Sequence, residues 1–357
     1  ETYVQLRPDD TEVHDYLGRT YLALADYPSA AQAFRKQLAL TPQSPELHYQ
    51  LVETHRLLCA SLALRLAKDP AGSYYFKLLA AEEPGARDRA AVEADIHEAI
   101  RTNPEGSEGY VTAGLHLLAS GQRKEAATTF EEAWKRNSTD CRISSSCSEE
   151  RDSAPSFSRA PEPRTAFEEF HRSKRLAEAA LARLDRLAPD SYQAALARAR
   201  LWDQTNRNEE AETQYRKALE VSRREPSVLI DYGKFLSKIN QIERAAELFE
   251  EALRSDPANP AIRLLLGEAY VLRDRPEQAL PHLRAGLEGR PSDVQSRLYL
   301  AQSLARLGRI QEAASTLEAA PEDPEGRLHY QLGLLYQRLG QPQKAERAFQ
   351  TFRARKK

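Results

Sequence analysis

Few side chains in this chain are spaced for chemistry. His97-Glu98 opens a zinc-peptidase pattern, but position 101 holds Arg where a second His is needed. His48 and His55 lie seven residues apart. On a helix that is two turns, roughly 10 Å along the axis, too far for one metal ion. Cys141 and Cys147 are separated by five residues, more than the usual two to four of a zinc pair. Their spacing leaves a loop disulfide open, which would point to an oxidising compartment. Cys59 sits in an apolar stretch and reads as a small packed residue. Neither a glycine-rich dinucleotide fingerprint, nor a phosphate loop, nor a nucleophile elbow occurs. The carboxylate pairs Glu82-Glu83, Glu131-Glu132 and Glu250-Glu251 are neighbours on solvated helix faces. No catalytic residue, metal site or cofactor is expected, and the chain reads as a non-enzyme.

What organises these residues is a period. Pro8 to Pro42, Pro70 to Pro104 and Pro257 to Pro291 are each 34 residues apart. A fixed period of this size marks stacked supersecondary units. In such a stack each unit buries its apolar face only on its neighbours, so 357 residues need no single core. A hydrophobic content of 41% with 29% charged residues suits a helical array. The formal net charge of −2 excludes a global field for nucleic acid or anionic lipid. No apolar run approaches the roughly 20 residues that span a bilayer, so neither nucleic acid nor membrane insertion is expected. Frequent Ala and Arg with few Lys point to a bacterial source, and the compartment, cytoplasm or periplasm, stays open.

Aligned units share columns. The first carries Leu17-Gly18, Tyr21, Ala30, Phe34 and Pro42, and another carries Tyr232-Gly233, Leu236, Ala245, Phe249, Ala252 and Pro257. The next has Leu266-Gly267, Tyr270, Ala279, Leu283, Gly286 and Pro291, and the last Leu332-Gly333, Tyr336, Ala345 and Phe349. Small residues in both helices let a hairpin close, and the large residue four positions later fills the space between hairpins. The proline ends the second helix, because it lacks a donor and disfavours helix in its predecessor. This order resembles the tetratricopeptide repeat of bacterial type. The resemblance implies an all-α, right-handed superhelix of antiparallel helix pairs, about ten of them here, eight close to the pattern. Two stretches, Glu46–Lys68 and Arg164–Ala188, are expected to be hairpins with very short turns, the second with helices at 166–167 and 176–187.

Glu1–Pro8 reads as the end of a helix whose partner precedes it, so the chain is expected to begin inside a repeat of a longer array. Residues 137–164 hold eight serines and three prolines with few apolar side chains, a composition expected to stay disordered. They divide the chain into an N-terminal block, 1–136, and a C-terminal block with a capping helix, 165–357.

In tetratricopeptide proteins the first helix of each pair lines a concave groove for an extended peptide or a partner helix. By resemblance, the groove positions are the second, fifth, ninth, twelfth and thirteenth of each unit. They place Leu196, Arg200, Ile230, Lys234, Lys238, Leu264, Glu268, Gln302, Arg306, Tyr330, Leu334 and Arg338 in it. In the N-terminal block Val111, Leu115 and Leu118 form a more apolar stretch. Cations among aliphatics suit a protein segment with acidic and apolar side chains, since guanidinium groups fork carboxylates. No unit has asparagine at the ninth position, which argues against the carboxylate-clamp subclass. The expected function is a non-catalytic interaction scaffold. The alternatives are the repeat arm of a larger enzyme such as a glycosyltransferase, or a self-associating spacer.

Overall fold

The computed structural model describes residues 10–82, 89–137, 162–320 and 326–355. They form 18 α-helices and one short 3-10 turn, Pro70–Gly72, with no strand among the described residues. The chain clusters into two compact units, 1–218 and 219–357.

The first unit contains α1 (Thr11–Ala23), α2 (Tyr27–Leu40), α3 (Pro45–Lys68), α4 (Ser73–Glu82) and α5 (Arg89–Thr102). It continues with α6 (Ser107–Ala119), α7 (Arg123–Arg136), α8 (Pro163–Leu187) and α9 (Tyr192–Gln204). Helix α10 (Asn208–Val221) contains the border. The second unit continues with α11 (Pro226–Lys238), α12 (Ile242–Ser255), α13 (Pro260–Leu272) and α14 (Pro276–Gly289). It ends with α15 (Val294–Arg306), α16 (Ile310–Glu318), α17 (Arg327–Arg338) and α18 (Pro342–Arg355).

Local chemistry sets the helix boundaries. The side chains of Asp10, Ser44, Ser191, Asn259 and Asp293 accept backbone N–H bonds at the starts of α1, α3, α9, α13 and α15. Within a regular pair, the turn falls on one column, the fifteenth residue of the unit. Ala25, Gly121, Asn206, Asn240, Asp274, Gly308 and Gly340 all adopt positive φ, between 55° and 79°. The next amide then donates to the carbonyl five residues back, as Gln241 N does to Leu236 O at 2.8 Å, which closes the helix end.

The close approach of the paired helices follows from the columns. A Cβ on Gly233 would stand 2.5 Å from the Phe249 ring, and one on Gly333 would stand 2.5 Å from Phe349. Glycine is therefore required opposite those phenylalanines.

One pair departs from the pattern. Its fifteenth residue is Cys59, which stays helical, so α3 runs on for 24 residues instead of turning. Its partner is the 25-residue α8, which lies antiparallel to it. Val52 packs with Leu181 and Leu184 at one end, and Leu62 and Leu66 pack with Ala166 and Phe167 at the other. Ala177, Leu181 and Pro189 stand in the columns of Ala30, Phe34 and Pro42. The α3/α8 pair is thus a single repeat opened between its helices, with the pairs α4/α5 and α6/α7 inserted. Hence 46–68 and 164–188 are not two short-turn hairpins. Each is one continuous helix, and the described residues form nine helix pairs rather than about ten. The expected blocks 1–136 and 165–357 also do not coincide with the compact units, because α8 packs on α3. Cys141, Cys147, Glu1–Pro8 and most of 137–164 lie outside the described residues.

Candidate functional site

In the second unit the groove positions come together most fully between α15 and α17. Gln302 and Arg306 on α15 and Tyr330, Leu334 and Arg338 on α17 line a single open groove of about 1410 Å³. Gln295, Leu298 and Tyr299 extend it on α15, Arg327, Gln331 and Gln337 extend it on α17, and Phe352 of α18 contributes an aromatic wall.

Its polar groups differ in freedom. The Arg306 guanidinium pairs with Asp274 in the α13–α14 turn. Arg327 Nη1 donates to Gln295 Oε1 at 3.2 Å. Arg338 is exposed and makes no ion pair among the described residues. The Tyr299 hydroxyl donates to Glu268 Oε1 of α13 at 3.0 Å. Burial lifts the Glu268 carboxyl above its ordinary value, against the opposing pull of this bond. Tyr330 is 42% exposed and packs on Phe352 with ring centroids 5.3 Å apart. Among the described residues the lining contains three arginines and no carboxylate.

The remaining expected residues are placed differently. Leu196 and Leu264 are buried rather than open to a ligand. Both occupy the fifth position. Leu264 turns into its own hairpin, filling the space over Gly286, where a Cβ would lie under 3 Å from the leucine. In the last unit Phe352 takes the column that holds Ala218, Ala252, Gly286 and Ala320 elsewhere, and the bulk of its ring leaves Tyr330 on the surface.

Arg200 is a structural ion, not a reader of peptide charge. Its side chain is 16% exposed and lies 2.5 Å from Glu53 Oε2 of α3, and its Nη1 donates to the Tyr49 hydroxyl at 2.9 Å. Burial raises the Glu53 carboxyl, but the guanidiniums of Arg200 and Arg56 outweigh it and hold the group below its ordinary value. Ile230 is half-buried, and Lys234 and Lys238 are exposed on α11. In the first unit Val111 is buried, while Leu115 and Leu118 are exposed.

The same positional rule already reaches Gln295, Leu298, Arg327 and Gln337, at the second, fifth, second and twelfth positions of their units. Tyr299 and Gln331 are sixth-position residues, one step around the helix. Phe352 lies on a second helix, and its signal in the sequence is an aromatic ring in a column of small residues.

His48 serves packing. His48 Nε2 donates to the Pro42 carbonyl at 3.2 Å, and burial depresses its basicity. Among the described residues no group of three or more His, Cys, Asp and Glu could hold a metal ion. No described helix is long and apolar enough to cross a membrane.

Family models agree with the repeat fold. Tetratricopeptide repeat models match residues 14–47, 166–226 and 326–351, and a model of the anaphase-promoting complex, cyclosome, subunit 3 matches 238–320. The chain is a tetratricopeptide repeat protein. As such it has the fold of a protein-interaction scaffold, in a family whose members are typically non-catalytic. No curated protein matches this repeat protein. Among solved structures it is similar to YrrB, described as a TPR protein with an unusual peptide-binding site, at 23% identity, covering 49% of this chain and 91% of that one, with a TM-score of 0.43. It is also similar to pilF of Pseudomonas aeruginosa (21% identity, 50% and 82% covered, TM-score 0.44). MamA from Desulfovibrio magneticus RS-1 is a third (18% identity, 46% and 94% covered, TM-score 0.44).

Proposed function

We propose that this tetratricopeptide repeat protein binds an extended segment of a partner protein in the α15/α17 groove. The segment carries apolar side chains that lie on Leu298, Tyr330, Leu334 and Phe352. It also carries an acidic side chain that Arg338 reads, with Arg306 and Arg327 reinforcing the field. The observation that carries this reading is the lining itself, three arginines beside an apolar strip with no carboxylate among the described residues. A guanidinium pairs bidentately with a carboxylate, which gives direction as well as energy. Lys234 and Lys238 on α11 are a further pair of exposed cations for an acidic partner.

The test is an array of extended peptides varied in Asp/Glu and Leu/Phe content, with binders measured by fluorescence anisotropy. Arg338→Glu is expected to weaken an acidic binder at least tenfold, and Tyr330→Ala to weaken it by several-fold. Lys234→Glu with Lys238→Glu reports whether the site extends to α11. Unchanged affinity in Arg338→Glu and Tyr330→Ala would remove this groove as the site.

A further inference from the structure

The opened repeat leaves a step in the first unit. A regular pair has helices of 13 and 14 residues, as in α13 and α14. With 24 and 25 residues, α3 and α8 each carry eleven more (24 − 13 and 25 − 14). The surplus overshoots the neighbouring α9, which ends at Gln204. At about 1.5 Å per residue the overhang is roughly 16 Å.

A partly enclosed cavity of about 250 Å³ occupies the step. Its walls come from α3, α8, the end of α9 with Thr205, and the end of α4. They are mostly apolar, with Val52, Ala63, Leu79, Phe170 and Leu201 among them. The Cys59 thiol is part of this wall. Burial pushes its pKa up to about 12, and it donates to the Phe170 carbonyl at 3.5 Å, so it behaves as an inert surface.

Three charged side chains reach the cavity, and two are already answered. Glu82 accepts from the Thr112 hydroxyl at 2.8 Å and faces His171 Nε2 at 3.5 Å. Arg56 is matched by Glu53 at 3.0 Å. Lys174 is half-buried and makes no ion pair among the described residues. Mostly apolar walls with one ammonium that makes no ion pair among the described residues favour a ligand with an apolar tail and a single anionic head.

We propose that this cavity binds a small amphiphilic anion of the medium-chain carboxylate class. The tail lies between α3 and α8, and the carboxylate meets Lys174. Because the walls include the end of α4, the bound ligand ties the inserted hairpins to the opened repeat. Occupancy therefore stabilises the first unit by mass action. The site is separate from the α15/α17 groove, and either can fail without the other.

The experiment is titration calorimetry of the whole chain with octanoate, octan-1-ol and octylammonium. Wild type is expected to bind octanoate saturably at one site. Lys174→Gln is expected to weaken octanoate at least tenfold while leaving octan-1-ol unchanged. Ala60→Trp places a ring at the exposed mouth of the cavity and is expected to abolish octanoate binding. Circular dichroism melting checks that both variants fold, and Lys174→Gln carries the test if Ala60→Trp does not. Absence of saturable octanoate binding would overturn the proposal. So would full binding by folded Ala60→Trp, equal loss of octan-1-ol in Lys174→Gln, or tighter binding of octylammonium than of octanoate.

Discussion

The α3/α8 pair and the pairs of the second unit use the same columns to opposite ends. In α11/α12 a glycine faces a phenylalanine, the fifteenth residue turns, and the hairpin closes on apolar contacts. In α3/α8 Val52 faces Leu181, the fifteenth residue stays helical, and the pair buries polar groups. Glu53, Thr54, His55, His171 and Ser173 are all buried there, whereas the buried polar residues found in the second unit are Ser296 and Ser303. A closed hairpin is specified by its turn. An opened one must find its partner through side chains: Val52 on Leu181 and Leu184, and Leu62 and Leu66 on Ala166 and Phe167, set the register of α3 on α8, while the Glu53–Arg200 pair ties α3 to α9. A change at one turn position thus moves the burden of specificity from the backbone to side-chain contacts, with buried charge at their edge.

The largest expected effect of a substitution tests the buried ion cluster. Arg200 and Lys234 both hold the ninth position. Arg200→Met leaves Glu53 with Arg56 alone and is expected to cost about 3 kcal/mol, whereas exposed Lys234→Met is expected to cost under about 0.5 kcal/mol. Urea denaturation followed by tryptophan fluorescence reads the first substitution, because both tryptophans, Trp134 and Trp202, lie in the first unit. Equal effects at the two positions would erase the distinction.

Next comes the glycine column. Gly233→Ala drives a Cβ into Phe249 and is expected to cost about 2 kcal/mol. Phe249→Leu in the same chain should recover part of that loss, since Val52 tolerates Leu181 in the same columns of the opened repeat. The circular dichroism midpoint is expected to fall further than the tryptophan midpoint. The reverse ordering would count against two distinct packing schemes.

A pH effect of about 1.4 kcal/mol for each pH unit belongs to the first unit. Arg35 Nη2 can only donate, so His55 Nε2 accepts its bond at 3.1 Å, and the ring is neutral. Burial, then the charges of Arg35 and Arg172, hold its pKa at about 3 against 6.5 ordinarily. As pH falls from 6.5 towards 3, the unfolded chain takes up a proton that the folded chain refuses. Stability from this group is therefore complete above pH 6.5 and is lost on acidification, by about 1.4 kcal/mol per pH unit. His55→Gln should flatten that slope in denaturation curves, whatever its effect on absolute stability.

The smallest effect inverts sign between regions. Asn240 sits at φ 62°, where glycine is at least as well suited, so Asn240→Gly is expected to be neutral or better. Cys59 occupies the same column inside a helix, and Cys59→Gly is expected to cost about 1 kcal/mol. Thermal melts of the two variants decide it, and the same sign in both would refute the turn-column reading.

The helices and their hairpin columns were legible because each unit repeats the same few spacings. The Gly18–Phe34 and Gly333–Phe349 contacts follow from the pattern alone. At the candidate groove the rule found Gln302, Arg306, Tyr330, Leu334 and Arg338, but it also named Leu196, Leu264 and Arg200, which face inward. Positional rules count turns of one helix. They do not register a Gly286 that draws Leu264 in, or a Glu53 from a distant segment that claims Arg200. The turn column also held an unused signal, since Cys59 stands where Asn206, Asn240, Asp274 and three glycines break their helices.

From its order of residues alone this chain determined an all-α repeat, the faces its helices bury, and the prolines and caps that bound them, because these depend on spacings of a few residues. Only the tertiary structure decided that α3 takes α8 as its partner across the inserted hairpins. Helical periodicity says which face is apolar and not which other face covers it, and the entropy of closing a long connection rises too slowly with length to forbid a distant match.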